Sequence, residues 1–428
     1  MFKTVTLLIL LLLSGPTLGA ELSAPALLQS LGKDPGEDKT AAVALVEATA
    51  KIQGIEQANA FIDSLGSRFP VHELREKLVA ACADMGKFDC AYYEAARIEP
   101  FNWRMRAMSQ IASAYAEQGD DERARATFAF TMEMAARDAP DEYRDHLIVG
   151  LLRSVGEFGY LDIGKASAEK VTRAEFRAEA LFSLAQAAGR FDETATALEL
   201  YQQGRLALDD MTVAITPLLY AQGAVAAAAA GLPNVAEPFL ARSGDSADWA
   251  IGEIAALYHA HGLTKETDSW KQRLQSPDRK QWMGSLLAET SMKAGRCEEA
   301  MDLWRSITAP SWAAATLLHM AEENKRHTCL DGAVFVDEAE NLWQQLGTVN
   351  LSIGAQLASA IQAATPDANA LWTGRARWQC TAEPIIYPGW WDEASEGLAK
   401  PAGPNSTDGH RATAPTVVKL GAGTRTRY

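Results

Sequence analysis

Seven glycines recur through the middle of the sequence, each placed where one amphipathic helix would end and the next begin. The gaps between them are 33, 40, 30, 42, 31 and 33 residues, which is close to the length of one helix hairpin. Glycine suits a helix end because it adopts the left-handed conformation there without steric cost. The spacing predicts an all-α chain of stacked antiparallel helix hairpins. The predicted turn residues are Gly86, Gly119, Gly159, Gly189, Gly231, Gly262 and Gly295.

Large aromatic residues repeat in a second register that supports the same units. Phe176, Trp249 and Trp282 each lie 13 residues before a turn glycine. Trp312 lies 13 residues before Lys325, where an eighth turn is expected without a glycine. Four aromatic side chains in one phase indicate structurally equivalent segments. We expect them to staple adjacent repeats together, and the alternative is an aromatic groove for a ligand.

The clearest unit is Met108–Thr131, with its turn at Gly119. Small residues at Ala112 and Ala124 allow two helices to approach closely, and Tyr115 and Phe128 fill the space between them. These positions resemble the tetratricopeptide repeat. The resemblance implies a right-handed superhelix of about eight repeats over residues 41–364, with an irregular C-terminal extension. The Trp-Leu-Gly-Tyr set of the first helix is incomplete in every unit, so a related superhelix, such as that of soluble lytic transglycosylases, is the alternative.

The N-terminus has the layout of a secretory signal peptide. Lys3 precedes a short apolar run, Val5–Leu13, and small residues suited to cleavage end at Ala20. We therefore predict a cleaved signal peptide at residues 1–20 and a periplasmic or secreted protein, and an uncleaved anchor is the alternative. Residues 21–40 are polar and carry prolines, so we expect a flexible segment or a short helix before the array.

The C-terminal part of the chain differs from the array in composition. Residues 365–399 are rich in tryptophan, and we expect this irregular segment to pack on the last repeats. The alternative is a docking peptide for a partner that uses Trp378, Trp390 and Trp391. Residues 400–428 are rich in Gly, Pro, Ser and Thr with several basic side chains. We predict a disordered basic tail there.

Two pairs of cysteines are placed where a disulfide is conceivable in an oxidising compartment. Cys82 and Cys90 each lie four residues from Gly86, one in each helix of a hairpin. The sequence predicts either a bridge across this turn or two buried thiols. Cys297 and Cys329 are 32 residues apart, close to one repeat. Helix axes packed roughly 8–10 Å apart make that second bridge marginal.

The charge and the motifs restrict the function. A net charge of −15 opposes binding to phosphate backbones, so no nucleic-acid partner is expected. No apolar segment after the signal peptide is long enough to span a membrane. The sequence contains no nucleophile elbow, phosphate-binding loop or zinc motif, so we expect no catalytic residue, cofactor or metal. It therefore favours an exported scaffold that binds a peptide or protein partner on a concave helical surface. The alternative is a cell-wall enzyme, or its remnant, related to the transglycosylase superhelix.

Overall fold

A computed structural model describes residues 23–32, 34–274, 276–346 and 350–365. The chain divides into two units, Met1–Ile385 and Ile386–Tyr428, and all of the described residues belong to the first. They form twenty α-helices and two short 3₁₀ turns, and no strand occurs among them. The described part of the chain is therefore all-α, as predicted.

The helices fall into two sets that alternate along the chain. The inner helices are α2 (Lys39–Ile52), α4 (Val71–Asp84), α6 (Phe101–Glu117), α8 (Asp141–Glu157), α10 (Ala174–Arg190), α12 (Pro217–Ala229), α14 (Ala247–Ala260), α16 (Pro277–Lys293), α18 (Pro310–His327) and α20 (Leu351–Ala364). The outer helices are α1 (Ala24–Leu31), α3 (Ile55–Leu65), α5 (Phe88–Ala96), α7 (Asp121–Asp138), α9 (Leu161–Ala168), α11 (Thr194–Asp209), α13 (Pro233–Leu240), α15 (Thr264–Lys271), α17 (Cys297–Arg305) and α19 (Gly332–Gln345).

The inner helices form a closed ring. Each packs against the next inner helix along the chain, and α20 packs against α2. Each inner helix also packs against the outer helix that follows it, and α20 packs instead against α1 from the start of the described chain. The hairpin layers therefore number ten, and the last one joins the two ends of the described chain. This arrangement turns one face of every inner helix towards a common interior.

Most inner helices end in the same way. Six of the predicted turn glycines have φ between 70° and 78°, and Gly189 is the exception. At Gly119 the amide of Asp120 donates to the carbonyl of Tyr115 at 2.9 Å, which satisfies a helix-end carbonyl. The Asp120 carboxylate then accepts from the amide of Arg123 at 3.2 Å, so the outer helix begins at once.

The prediction that Gly189 forms a turn is wrong. Gly189 lies inside α10, and Asp192 takes the left-handed conformation three residues later, with φ of 61°. A Cβ atom at Gly189 would lie 2.6 Å from the Cβ of Ala229 on α12. The glycine therefore permits a close approach of two inner helices. The eighth turn also falls three residues beyond Lys325, at Thr328, with φ of 48°.

Two of the in-phase aromatic side chains contact the preceding hairpin. Trp282 on α16 fills the space left by Gly252 on α14, where a Cβ atom would lie 2.2 Å from the indole ring. The ring of Phe176 on α10 lies 5.9 Å from that of His146 on α8. Both side chains join neighbouring layers, as expected of staples.

Residues 21–40 were predicted to be either flexible or a short helix, and part of this segment is a short helix. Within residues 21–40, α1 begins after Ser23, whose hydroxyl accepts from the amide of Ala26. Leu27, Leu28 and Leu31 of this helix are buried. Leu31 also lies against Gly354 of α20, where a Cβ atom would be 2.4 Å from it. Three leucines at helical spacing supply the apolar face that docks the segment onto the ring.

Candidate functional site

Charged side chains occupy one register position at the ends of the inner helices. The position lies two residues before the left-handed residue that follows each inner helix from α4 to α18, and its occupants are Asp84, Glu117, Glu157, Arg190, Ala229, Ala260, Lys293 and Arg326. The first three are acidic, Arg190, Lys293 and Arg326 are basic, and the remaining two are alanines. Because the inner helices form a ring, acidic helix ends on one side face basic ends on the other.

Two ion pairs join opposite sides of the ring, and we call them the cross-ring pairs. Arg326 on α18 contacts Glu117 on α6 at 2.8 Å. Lys293 on α16 contacts Glu157 on α8 at 2.9 Å. Cations at helix C-termini also interact favourably with the helix dipoles. The interior of the ring at this end is therefore bridged by protein side chains.

The Glu157–Lys293 pair lies in a confined but hydrated space. The two side chains are 47% and 53% exposed. Burial by surrounding protein raises the pKa of Glu157, but the Lys293 ammonium outweighs that effect and lowers the pKa below its usual value. Burial likewise lowers the pKa of Lys293, and the Glu157 carboxylate more than reverses it. Water therefore reaches both groups although protein atoms surround them.

Glu117 behaves differently from Glu157. Burial raises its pKa to about 7, and the Arg326 guanidinium only partly opposes the increase. The neighbouring carboxylates of Asp84 and Glu323 raise the pKa further. Glu117 is therefore a carboxyl group that exchanges its proton near neutral pH, which is a common property of functional sites.

Four side chains form a compact charge cluster beside Glu117, which we call the Lys51 cluster. The ammonium of Lys51 lies 2.8 Å from Glu47, 3.0 Å from Asp84 and 2.6 Å from Glu322. Oxygens of the three carboxylates lie within 4.8 Å of one another, a spacing that suits a metal ion. Lys51 contacts all three, so its ammonium already supplies the positive charge that they require.

A large groove opens where the ring closes, and we call it the seam groove. It has a volume of about 1130 Å³ and lies between the start of α1, the α18–α19 turn and the end of α20. Its lining includes the apolar side chains of Leu330, Val336 and Ile361. Apolar grooves of this size with a few polar groups are the usual form of ligand sites.

Two hydrogen-bond donors of the seam groove are unusual. Lys325 forms no ion pair with any described residue, and burial lowers its pKa. The amide nitrogen of Gln362 is buried without a hydrogen-bond partner, and the residue is only 6% exposed. An unpaired buried amide ordinarily costs about 1–3 kcal/mol. Both groups line a space that an acceptor on a ligand could enter.

The cysteines pair differently from the first expectation. Cys297 and Cys329 form a disulfide with Cα atoms 6.3 Å apart. This bond ties the start of α17 to the turn beside the seam groove. The Cys82–Cys90 bridge is not formed, because Cys82 is a free thiol with no exposed surface and Cys90 belongs to a different disulfide. Burial raises the pKa of the Cys82 thiol well above its usual value.

Several predicted features lie outside the described residues. They are the signal peptide at residues 1–20, the Trp-rich segment after Thr365 with Trp378, Trp390 and Trp391, and the tail at residues 400–428. Among the residues that the structure does describe, no helix is both long and apolar enough to cross a membrane.

Sequence reasoning missed the interior charges. Their signal was the register position two residues before each turn, where acidic residues give way to basic ones along the chain. This change from acidic to basic residues predicts ion pairs only when the ring is known to close, because closure brings the two sets of helix ends face to face.

Comparison of the sequence with protein-family models gives no match, and comparison with curated proteins gives none either.

Proposed function

We propose that this protein is an exported interaction scaffold that holds a segment of a peptide or protein partner in the seam groove. The observation that carries the proposal is the groove itself. It is about 1130 Å³ in volume, largely apolar, and contains the unpaired donors of Lys325 and Gln362. The proposal assigns the scaffold to the tetratricopeptide-like class of right-handed helical-hairpin arrays, with the seam groove as the partner site.

The lining of the groove specifies the chemistry of the partner. Val336 and Ile361 favour apolar side chains, and each buried methylene group contributes about 0.8 kcal/mol. Lys325 and Gln362 favour a carbonyl or carboxylate oxygen, which would satisfy the buried donor. A peptide supplies both kinds of group.

The periplasm, or an equivalent exported compartment, is the proposed location. The sequence begins with a predicted signal peptide, and the Cys297–Cys329 disulfide is of a kind that persists in oxidising compartments.

Site-specific photo-crosslinking in the native cell envelope tests the proposal. A photoreactive amino acid at Val336 should give a discrete adduct with one partner, because this position lines the groove. The same group at Asp63, an exposed position on α3 that lines neither groove, is the control and should give none. Adding Lys325→Ala should weaken the adduct at Val336. Equal labelling from both positions, or none from Val336, would exclude the seam groove as the partner site.

A second candidate function is cell-wall hydrolysis by an enzyme with a superhelical body. Glu117 favours it, because a carboxyl group with a pKa of about 7 can act as a general acid near neutral pH. Purified protein incubated with peptidoglycan should then release soluble fragments, and Glu117→Gln should abolish the release. Absence of fragments from the wild-type protein would eliminate this candidate.

A further inference from the structure

A second, smaller groove lies on the outer layer, far along the chain from the seam groove. It has a volume of about 390 Å³ and runs between α11 and the start of α13. We call it the Tyr201 groove. Its lining consists of Tyr201, Gln202, Arg205, Leu206, Asp209, Leu232 and Val235.

The Tyr201 groove lies between two outer helices that no ion pair connects. Ion pairs join α7 to α9 (Arg125–Asp162, 2.8 Å), α13 to the turn after α15 (Arg273–Glu237, 2.8 Å) and α17 to α19 (Arg305–Glu338, 3.0 Å). Within the described chain, no ion pair joins α11 to α13. The space between these two helices is therefore open to a ligand.

The hydroxyl group of Tyr201 is buried beside the groove and could donate a hydrogen bond to a ligand. The residue is 3% exposed, and its ring packs near Phe182 and Phe239 with centroids 6.0 and 6.3 Å away. Its hydroxyl oxygen is buried and forms no hydrogen bond of normal geometry. Burial raises the pKa of this hydroxyl, and the Arg205 guanidinium beside it partly opposes the rise. By contrast, the hydroxyl of Tyr92 on α5 lies 3.3 Å from that of Thr127 on α7.

Apolar and basic side chains flank this hydroxyl. Leu206 lines the groove and is 66% exposed. Arg205 is exposed and forms no ion pair with any described residue. Asp209 lies one helical turn further along α11 and disfavours a second negative charge on the ligand.

We infer that the Tyr201 groove binds a peptide segment of a partner protein in which one carboxylate lies next to an aliphatic side chain. The carboxylate pairs with Arg205 and accepts a hydrogen bond from the Tyr201 hydroxyl. The aliphatic side chain covers Leu206 and contacts Leu232 and Val235. This geometry gives the buried hydroxyl an acceptor, gives the Arg205 guanidinium a counter-ion and removes the exposed leucine from water.

A displayed library of random heptapeptides, selected on the full-length protein, tests the inference. Selection should enrich peptides with an acidic residue beside an aliphatic one. Replacing that acidic residue by its amide should weaken binding roughly tenfold or more, because the bond to Arg205 is charge-assisted. Arg205→Gln should cause the same loss and leave the amide peptide unaffected. Leu206→Asp should abolish binding of both peptides.

Tyr201→Phe separates a binding role from a structural one. It removes a buried hydroxyl that forms no hydrogen bond of normal geometry, so the melting temperature should stay constant or rise. Affinity for the selected peptide should nevertheless fall about fivefold, a loss that a purely structural role of the hydroxyl would not produce.

Three results would overturn the inference. The first is that no acidic–aliphatic peptide is enriched, and the second is that the enriched peptides bind the Arg205→Gln and Leu206→Asp variants as well as the wild-type protein. The third is that analytical ultracentrifugation shows a dimer of the wild-type protein and a monomer of Leu206→Asp, since a second copy would then occupy the groove. Val336→Glu in the seam groove should not affect the selected peptide. Failure here is thereby distinguished from failure of the proposed scaffold function.

Discussion

At the scale of single residues, Glu117 makes stability depend on pH in an unusual direction. Its pKa rises from 4.5 to about 7 on folding, so between these values the folded chain binds more protons here than the unfolded chain. The free energy of unfolding therefore falls as the pH rises through this window. Glu117→Gln removes that loss. Relative to the wild-type protein, the variant should gain about 1–2 kcal/mol between pH 5 and pH 8, after allowance for solvent screening.

Urea unfolding of both proteins across this pH range measures the gain. Glu142→Gln, which changes an exposed carboxylate at the start of α8, is the matched control and should follow the wild-type profile in parallel. A Glu117→Gln profile that also runs parallel to the wild type would show that this carboxyl group titrates as it does in water.

At the scale of helices, the contact between α10 and α12 depends on a missing side chain. Gly189→Ala would place a Cβ atom 2.6 Å from the Cβ of Ala229 and 2.9 Å from its carbonyl oxygen. Helices with little room to separate should lose about 1–3 kcal/mol of stability from such overpacking. Gly150→Ala on α8 meets no atom within 4 Å and should add about 0.5–1 kcal/mol. Thermal or urea unfolding compares the two, and equal effects would contradict this account.

The disulfide between α17 and the turn after α18 holds two hairpin layers together. Residues Cys297 and Cys329 enclose a segment with a sequence separation of 32. Replacing both by alanine should lower the free energy of unfolding by about 2–4 kcal/mol. Peptide mapping under non-reducing conditions should recover these two cysteines linked, whereas Cys82 should react with alkylating reagents only after unfolding. Rapid alkylation of Cys297 in the native protein would contradict the pairing.

The turn positions could be predicted from the sequence only where glycine is needed for a left-handed helix end. Gly86 and Gly119 indicated helix ends because a left-handed residue was needed there. Gly189 misled the prediction because glycine serves equally well where two helices touch. Thr328 gave no signal, since threonine seldom adopts a left-handed conformation. Only tertiary contacts separate these cases.

At the scale of the whole described chain, closure of the ring could not be predicted. Hairpin periodicity specifies how each layer meets the next, but it does not specify whether α20 returns to α2. The seam groove and the cross-ring pairs exist only because it returns. Both were therefore beyond sequence reasoning, although the charges that form the pairs lay at a regular position in each repeat.

The cross-ring ion pairs and the apolar packing of α20 both hold the ring closed, and mutation can distinguish their contributions. Glu157 and Lys293 lie 136 residues apart and pair across the interior. A double-mutant cycle with Glu157→Gln and Lys293→Met should give a coupling energy of roughly 0.5 kcal/mol that vanishes in about 1 M salt, since both groups are half exposed.

Small-angle scattering of the same variants should show an unchanged radius of gyration. Closure also rests on α20, whose Ala355, Leu357 and Ala358 are fully buried and which packs against both α18 and α2. Apolar burial of this kind is insensitive to the loss of one hydrated ion pair. If the radius increased in the Glu157→Gln/Lys293→Met protein, the cross-ring pairs, and not this packing, would be what closes the ring.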